Sequence, residues 1–345
     1  MKIVRFSFFL LALAVCSGFA LLAEKETPLA SKMSDAASKF VDSLSPELKK
    51  KASFGFDDPH RVDWYFTPQQ DKQKKFTRKG IRFEELSVEQ QKLALELLKT
   101  GTSDKGYEQA VTIMSLEAIL KNLEGPNGAM TRDQSWYFVS IFGEPSKTGI
   151  WGWRIEGHHL SVNFTLDHGQ VATVTPFFFG ANPAEVKAGD KKGLRTLPEV
   201  EDLARELINS LKDDQKKVAK LDADQLPEIP EKTDRAPKIE PIGISGARLD
   251  EAQQGTLLKL LQAYTNRMPG EVGSVEFENV KKTAMEKIFF VYTGETTPGK
   301  PYTYRVQAPT FLVEFLNVQA DGSKNPANHI HSVWRHLPAD FGLKK

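Results

Sequence analysis

Cysteine is nearly absent: Cys16 is the only one in 345 residues, and it lies in an N-terminal segment that reads as removable. Without it the chain can form no internal disulfide and offers no thiol nucleophile or thiolate ligand. Any metal site must then be assembled from His and carboxylates. An exported domain without disulfides also needs a core large enough to fold unaided, and about 320 residues allow one. Long runs of one charge are missing too, with 46 Lys and Arg against 45 Asp and Glu. That balance speaks against nucleic acid or a strongly charged membrane surface as a partner. There is no Gly-x-Ser-x-Gly elbow, Walker A loop, helical His-Glu-x-x-His pair, Rossmann glycine set or EF-hand loop. Serine-hydrolase, nucleotide-dependent and zincin chemistries are therefore disfavoured.

What is present begins with an apolar run, Phe6 to Ala14, preceded by Lys2 and Arg5 and followed by the small residues Ser17, Gly18, Ala20 and Ala23. This is the three-part layout of a secretory signal. Counted through Gly18 the run only just reaches the roughly 17 residues that span a bilayer. A cleaved signal over 1–23 is expected rather than an anchor, with Ala20 as the alternative cleavage point. A lipobox at Leu13 to Cys16 is a minor alternative, because Val15 fits that pattern poorly. The expected product is exported, periplasmic or extracellular, with no transmembrane segment in the mature chain.

Apolar positions recur at helical spacing from Thr27 to about Lys51, from Val88 to Thr100 after a Ser87 N-cap, and from Gly106 to Leu123. Short aromatic and β-branched runs follow at 136–142, 150–156, 158–166 and 171–179, separated by Gly, Pro and Asp turn signals. A second helical block covers Leu197 to Lys220 and Leu249 to Arg267, joined by a Pro- and charge-rich excursion, Asp224 to Pro241. Strands return at 288–293, 302–308, 311–317 and 329–335. The pattern predicts an α+β fold with an antiparallel sheet core built from two strand blocks, about 134–179 and 287–335, and flanking helical blocks. The expected organisation is a signal over 1–23, a tether or helix over 24–43 and one domain over 44–345. The order helices, strands, helices, strands hints at two related halves, but the sequence similarity is too weak to name a repeat.

Four of the seven histidines fall in two groups, His158-His159 and His329-Ile330-His331. Residues two apart in a strand share a face at about 6.5–7 Å, so two imidazoles so placed can converge on one metal ion. Neighbours such as His158 and His159 would face opposite ways in a strand, so at most one of them is expected to join His329 and His331. Glu314, the carboxylate in the apolar run Phe311 to Phe315, is a candidate ligand or general base. It is equally readable as the buried ion-pair partner of Arg305 or Arg335. Arg154, Arg305 and Arg335 could clamp an anionic group, although arginines on strands more often serve solubility. Trp334, with the other tryptophans, could stack on a ligand, although aromatics at strand spacing are more often core.

Three segments carry a family resemblance. They are Gly152 to Phe164, then Pro176 with Phe179 to Val186, and Asn328 to Arg335. Together they resemble the bacterial and fungal family catalogued as domain of unknown function 3500, from about Leu44 to Gly342. Tyr302, Tyr304, Arg305, Gln307, Pro309 and Glu314 fit the family's strand before the His-x-His segment. The resemblance implies that the two His groups belong together; it implies no reaction.

The reading that follows is a metal-dependent exported enzyme, hydrolase or oxidoreductase, using Zn, Cu, Fe or Mn. Its ligands would be His329, His331 and one of His158 or His159. Glu314 and Arg305 would serve catalysis, and Arg154, Arg335 and Trp334 would contact substrate. The competing expectation is a non-catalytic envelope protein holding a small molecule, sugar or peptide.

Overall fold

The computed structural model describes residues 28–223, 225–337 and 339–342; the signal segment lies outside them. The helical pattern expected over 27–51 is broken into α1 (Pro28–Asp42) and α2 (Pro46–Ala52). Pro46 is the cause, because it disfavours helical backbone at Ser45, which instead caps α2. β1 (Ser53–Phe54) and β2 (Ile81–Arg82) flank an irregular excursion, and α3 (Val88–Thr100) and α4 (Asp104–Glu124) follow. The first strand block is β3 (Phe138–Phe142), β4 (Ile150–Gly157), β5 (Leu160–Asp167), β6 (Gln170–Thr173) and β7 (Phe177–Phe179).

α5 (Pro198–Ser210) and α6 (Asp213–Ala219) precede a second excursion and β8 (Ile244–Ser245). Then come α7 (Glu251–Thr265) and α8 (Gly270–Lys282), followed by β9 (Phe289–Gly294), β10 (Tyr302–Gln307), β11 (Phe311–Asn317) and β12 (Ile330–His336). Helix α8 was not expected; its glycines and charged residues blur the apolar stripe. The α+β class holds. Both strand blocks join one mostly antiparallel sheet in the order β1-β3-β4-β5-β7-β12-β11-β10-β9-β8, with β2 also on β3 and β6 also on β5.

The inner eight strands, β3-β4-β5-β7-β12-β11-β10-β9, form a palindrome about the β7–β12 contact, where Phe177 pairs with Trp334, and the registers repeat with it; β2 on β3 corresponds to β8 on β9. Val139 lies between Ile81 and Ile155; Phe290 lies between Ile244 and Val306. Arg154 faces Asn163, and Arg305 faces Glu314. The parallel pair Ser53 and Ile141 recurs as Lys220 and Tyr292. Even the helix starts agree. Ser87 and Gln90 form a capping box, as do Asp250 and Gln253. Gln91 Nε2 donates to the Phe83 and Leu86 carbonyls, and Gln254 Nε2 to those of Gly246 and Leu249. The two related halves hinted at by the sequence are thus one structural unit built twice, with approximate twofold symmetry. The likeness lives in hydrogen-bond registers, which tolerate most side-chain changes.

The sheet is covered on both faces. Trp151, Trp153, Ile155, Tyr304 and Trp334 join the apolar cluster formed with α1, α3, α5 and α7; Trp334 stacks on Phe311 at 4.9 Å. Side chain α1 residues Met33, Ala37 and Phe40 are part of this same cluster. The opposite face is covered by the excursions, whose Trp64, Phe66 and Ile229 pack on Phe178, Leu316 and Val333. Within β12, alternation sends Trp334 to the helix face and His331, Val333 and Arg335 to the excursion face.

Candidate metal centre

The Gly157 to Leu160 pair closes the β4–β5 hairpin, which makes His158 and His159 its two turn residues rather than strand residues. The rule that neighbours face opposite ways does not apply in a turn. His159 adopts φ +63°, a left-handed conformation that is uncommon outside glycine and for which His is among the enriched residues. Its N–H donates to the Phe66 carbonyl at 2.8 Å, and its carbonyl accepts from Gly180 N at 2.8 Å. Tyr137 hydroxyl donates to the His158 carbonyl at 2.7 Å. The turn is held from three sides, and its two rings lie against each other, tilted by 30° with centroids 3.8 Å apart.

His159 projects to the junction of the two halves, where His329, just before β12, and His331, within it, meet it. Nε2 of His159 is 2.7 Å from Nε2 of His329 and 3.2 Å from Nε2 of His331, and the last two are 3.1 Å apart. His158 is a looser member: a ring nitrogen of His158 lies within 4.8 Å of those of His159 and His329, while its Nδ1 is engaged by Glu117 and lies 3.3 Å from Arg132. Both groupings could hold a metal ion. The Nε2 triangle of His159, His329 and His331 is the tighter.

The far sides of the rings are held as well. His331 Nδ1 is 3.0 Å from Glu228 Oε1, and Asn182 amide nitrogen is 3.4 Å from His329 Nδ1. Asn182 Oδ1 is buried and has no partner among the described residues. Turning this amide over lets Oδ1 accept from His329 Nδ1–H and satisfies both groups. Burial holds the His159 and His329 imidazoles well below the ordinary pKa of 6.5, and the neighbouring imidazoles and Arg132 add to it. Both are therefore neutral, the form that binds a metal.

A cavity of about 380 Å³ opens at the cluster, with Phe66, Pro68, Met130, Arg132, Glu228 and Ile229 among its walls. Both excursions reach it. Glu231 accepts from Phe66 N and Thr67 N at 2.6 Å each, joining one excursion to the other. The excursion expected there is exposed or half-buried over most of 225–241, and its Glu228 and Glu231 also build the site wall. Glu117, Arg132, Glu228 and Glu231 carry no signal in the sequence, because each arrives from a distant loop or helix with no spacing pattern of its own; Asn182 lies in the resembling segment Phe179 to Val186.

The remaining expected residues sit elsewhere. Glu314 is buried with Arg305 Nη2 at 2.9 Å; burial raises its pKa while Arg305 lowers it, and burial prevails. Arg154 is enclosed by Glu156 at 3.2 Å and by the His60 carbonyl at 3.1 Å. Arg335 pairs with Asp340 at 2.7 Å, both fully buried. Trp334 is on the helix face of β12. None of these five, Arg305 included, borders the cavity. The repeat explains Glu314: Arg154 draws its counter-charge from Glu156 on its own strand, whereas Gln307 stands at that position in the second half and Glu314, on the next strand, supplies the charge to Arg305.

No curated protein and no solved structure matches the chain. No helix among the described residues is long and apolar enough to cross a membrane. The sequence profile of one family matches residues 26–343, and the chain therefore belongs to the family described as "Protein of unknown function (DUF3500)".

Proposed function

We propose that the protein is an exported metal-dependent enzyme in which His159, His329 and His331 hold one divalent transition-metal ion through Nε2. The convergence of these three nitrogens within 2.7–3.2 Å carries the reading. Ligands of a tetrahedral ion at 2.0–2.1 Å stand about 3.3 Å from each other, so the rings need shift by only a few tenths of an ångström. Glu228 beside Nδ1 of His331, and Asn182 with its amide turned over beside Nδ1 of His329, favour the tautomers whose Nε2 carries the lone pair. Lone pairs this close repel unless a cation lies between them.

Three protein ligands and an adjoining cavity fit a catalytic rather than a closed structural centre. The ion would supply a Lewis acid for hydrolysis or, if redox-active, one-electron chemistry; the all-imidazole set suits Zn, Cu, Fe or Mn. Glu228 fixes the orientation of His331, and the Glu117 and His158 pair stands beside the open side. A purely ligand-holding role would have to use other residues than Arg154, Arg335 and Trp334, which are all buried in the sheet. The Lys2 to Ala23 pattern supports export.

The test is elemental analysis of the untagged exported protein beside folded His329→Ala and His331→Ala variants. Near-stoichiometric metal that disappears in both supports the centre and identifies its ion. Protein that is metal-free and takes up no added Zn, Cu, Fe or Mn overturns it.

A further inference from the structure

The repeat offers an internal template for a second cavity. This one has a volume of about 830 Å³ and lies at the β10–β11 turn, the counterpart of the His158-His159 turn. Pro241, Phe289 and Gln307 are among the residues lining it. Each has an identifiable equivalent in the first half. Phe138 opposite Glu156 corresponds to Phe289 opposite Gln307. Arg78, three residues before Ile81, corresponds to Pro241, three before Ile244. Gly80 and Gly243, at φ +102° and +96°, anchor that alignment.

In the first half the Arg78 guanidinium fills this position. It lies 3.1 Å from Glu156 Oε1 and 5.7 Å from the Phe138 ring centroid, and it donates to the Tyr65 carbonyl at 2.9 Å. In the second half the planar donor is gone, replaced by Pro241, while an acceptor and an aromatic ring remain. Gln307 is 7 % exposed. Its Nε2 donates to the Ile239 carbonyl at 2.7 Å, which fixes the amide, and its Oε1 is buried without a partner among the described residues. A buried unpaired acceptor costs about 1–3 kcal/mol.

We infer that this cavity binds a planar, uncharged N–H donor of the primary-carboxamide type, which takes the place that Arg78 holds in the other half. The group donates to Gln307 Oε1 and lies against Phe289. Charge selects the neutral donor: Glu156 has become Gln307, and the cavity rim carries three cations, Arg235, Lys238 and Lys287, against Glu240 and Glu286. A cation would meet no buried counter-charge at the acceptor, and an anion has no proton to give it.

Three isosteric probes separate these cases: benzamide, benzamidine and benzoate, titrated into the full mature protein by saturation-transfer NMR. Benzamide should bind best, and Gln307→Leu should weaken it about tenfold, as expected for one buried hydrogen bond. Pro241→Arg, which refills the space, should abolish binding, with folding of both variants checked by thermal denaturation. Benzamidine or benzoate binding as well as benzamide overturns the inference, as does absence of benzamide binding or binding unchanged in both variants. The order of the three probes on the unmodified protein decides the matter even if a variant fails to fold.

Discussion

His159 and His329 place their Nε2 atoms 2.7 Å apart, although one belongs to a hairpin turn of the first half and the other to the entry into the last strand of the second. The centre is therefore a junction between the halves, and its geometry depends on what holds each ring from behind. Asn182 and Glu228 do this for His329 and His331. Partners that orient a metal-bound imidazole typically contribute 10–100-fold to affinity. Asn182→Leu and Glu228→Gln should each weaken metal binding by about that factor while leaving the thermal midpoint of the metal-free protein nearly unchanged. Competition with a chelator of known affinity measures this; unchanged affinity in both variants would remove the positioning role.

Glu314 is predicted to matter for folding and not for metal. Glu314 and Arg305 are each 3 % exposed, and removing one partner of a buried pair leaves an uncompensated charge at a cost of about 3–5 kcal/mol. Glu314→Gln should lower the urea midpoint accordingly and retain full metal occupancy at low denaturant. Loss of metal from a still-folded Glu314→Gln protein would return this residue to the ligand set.

Much of the fold was legible because burial imposes a period. Strand blocks and helices such as Val88–Thr100 follow from apolar spacing alone, and His329 and His331 could be placed together because alternation keeps residues two apart on one face. The same parity places Trp334, three residues beyond His331, on the opposite face, where it packs under the helices. His159 was harder. Its strand-like neighbourhood hides a two-residue turn, and only the Gly157 to Leu160 pairing reveals it. Glu117, Arg132 and Glu228 are joined to the site by tertiary contacts alone, which a single sequence does not display.

The repeat makes its own prediction at Gly80 and Gly243. Both have a positive φ, and a Cβ would meet the Val139 carbonyl oxygen at 3.0 Å in one half and collide with the Phe290 carbonyl oxygen in the other. A side chain there incurs backbone strain of about 1–3 kcal/mol in addition to the clash. Gly80→Ala and Gly243→Ala should each destabilise by at least that amount, Gly243→Ala the more, as read from denaturant midpoints. A neutral effect at either position would show that the two turns are not equivalent.

The last prediction concerns acid. His60 sits in the first half with Nε2 3.2 Å from Ser140 hydroxyl and Arg154 Nη2 3.1 Å from the same nitrogen. Burial, followed by the charges of Arg154, Lys79 and Arg78, holds its pKa down at about 2. In the unfolded chain the imidazole binds a proton near pH 6.5, whereas in the folded chain it does not do so until about pH 2. Between these values the unfolded state carries the extra proton, so stability rises with pH across the window and is fully present above about 6.5. Acidification from pH 6.5 to 4.5 should therefore remove about 2–3 kcal/mol through this residue. His60→Gln, which keeps a polar group beside Ser140 and Arg154 but cannot titrate, should flatten that part of the stability profile measured by urea unfolding at a series of pH values. An acid slope of equal steepness in the variant would mean that the loss comes from other groups.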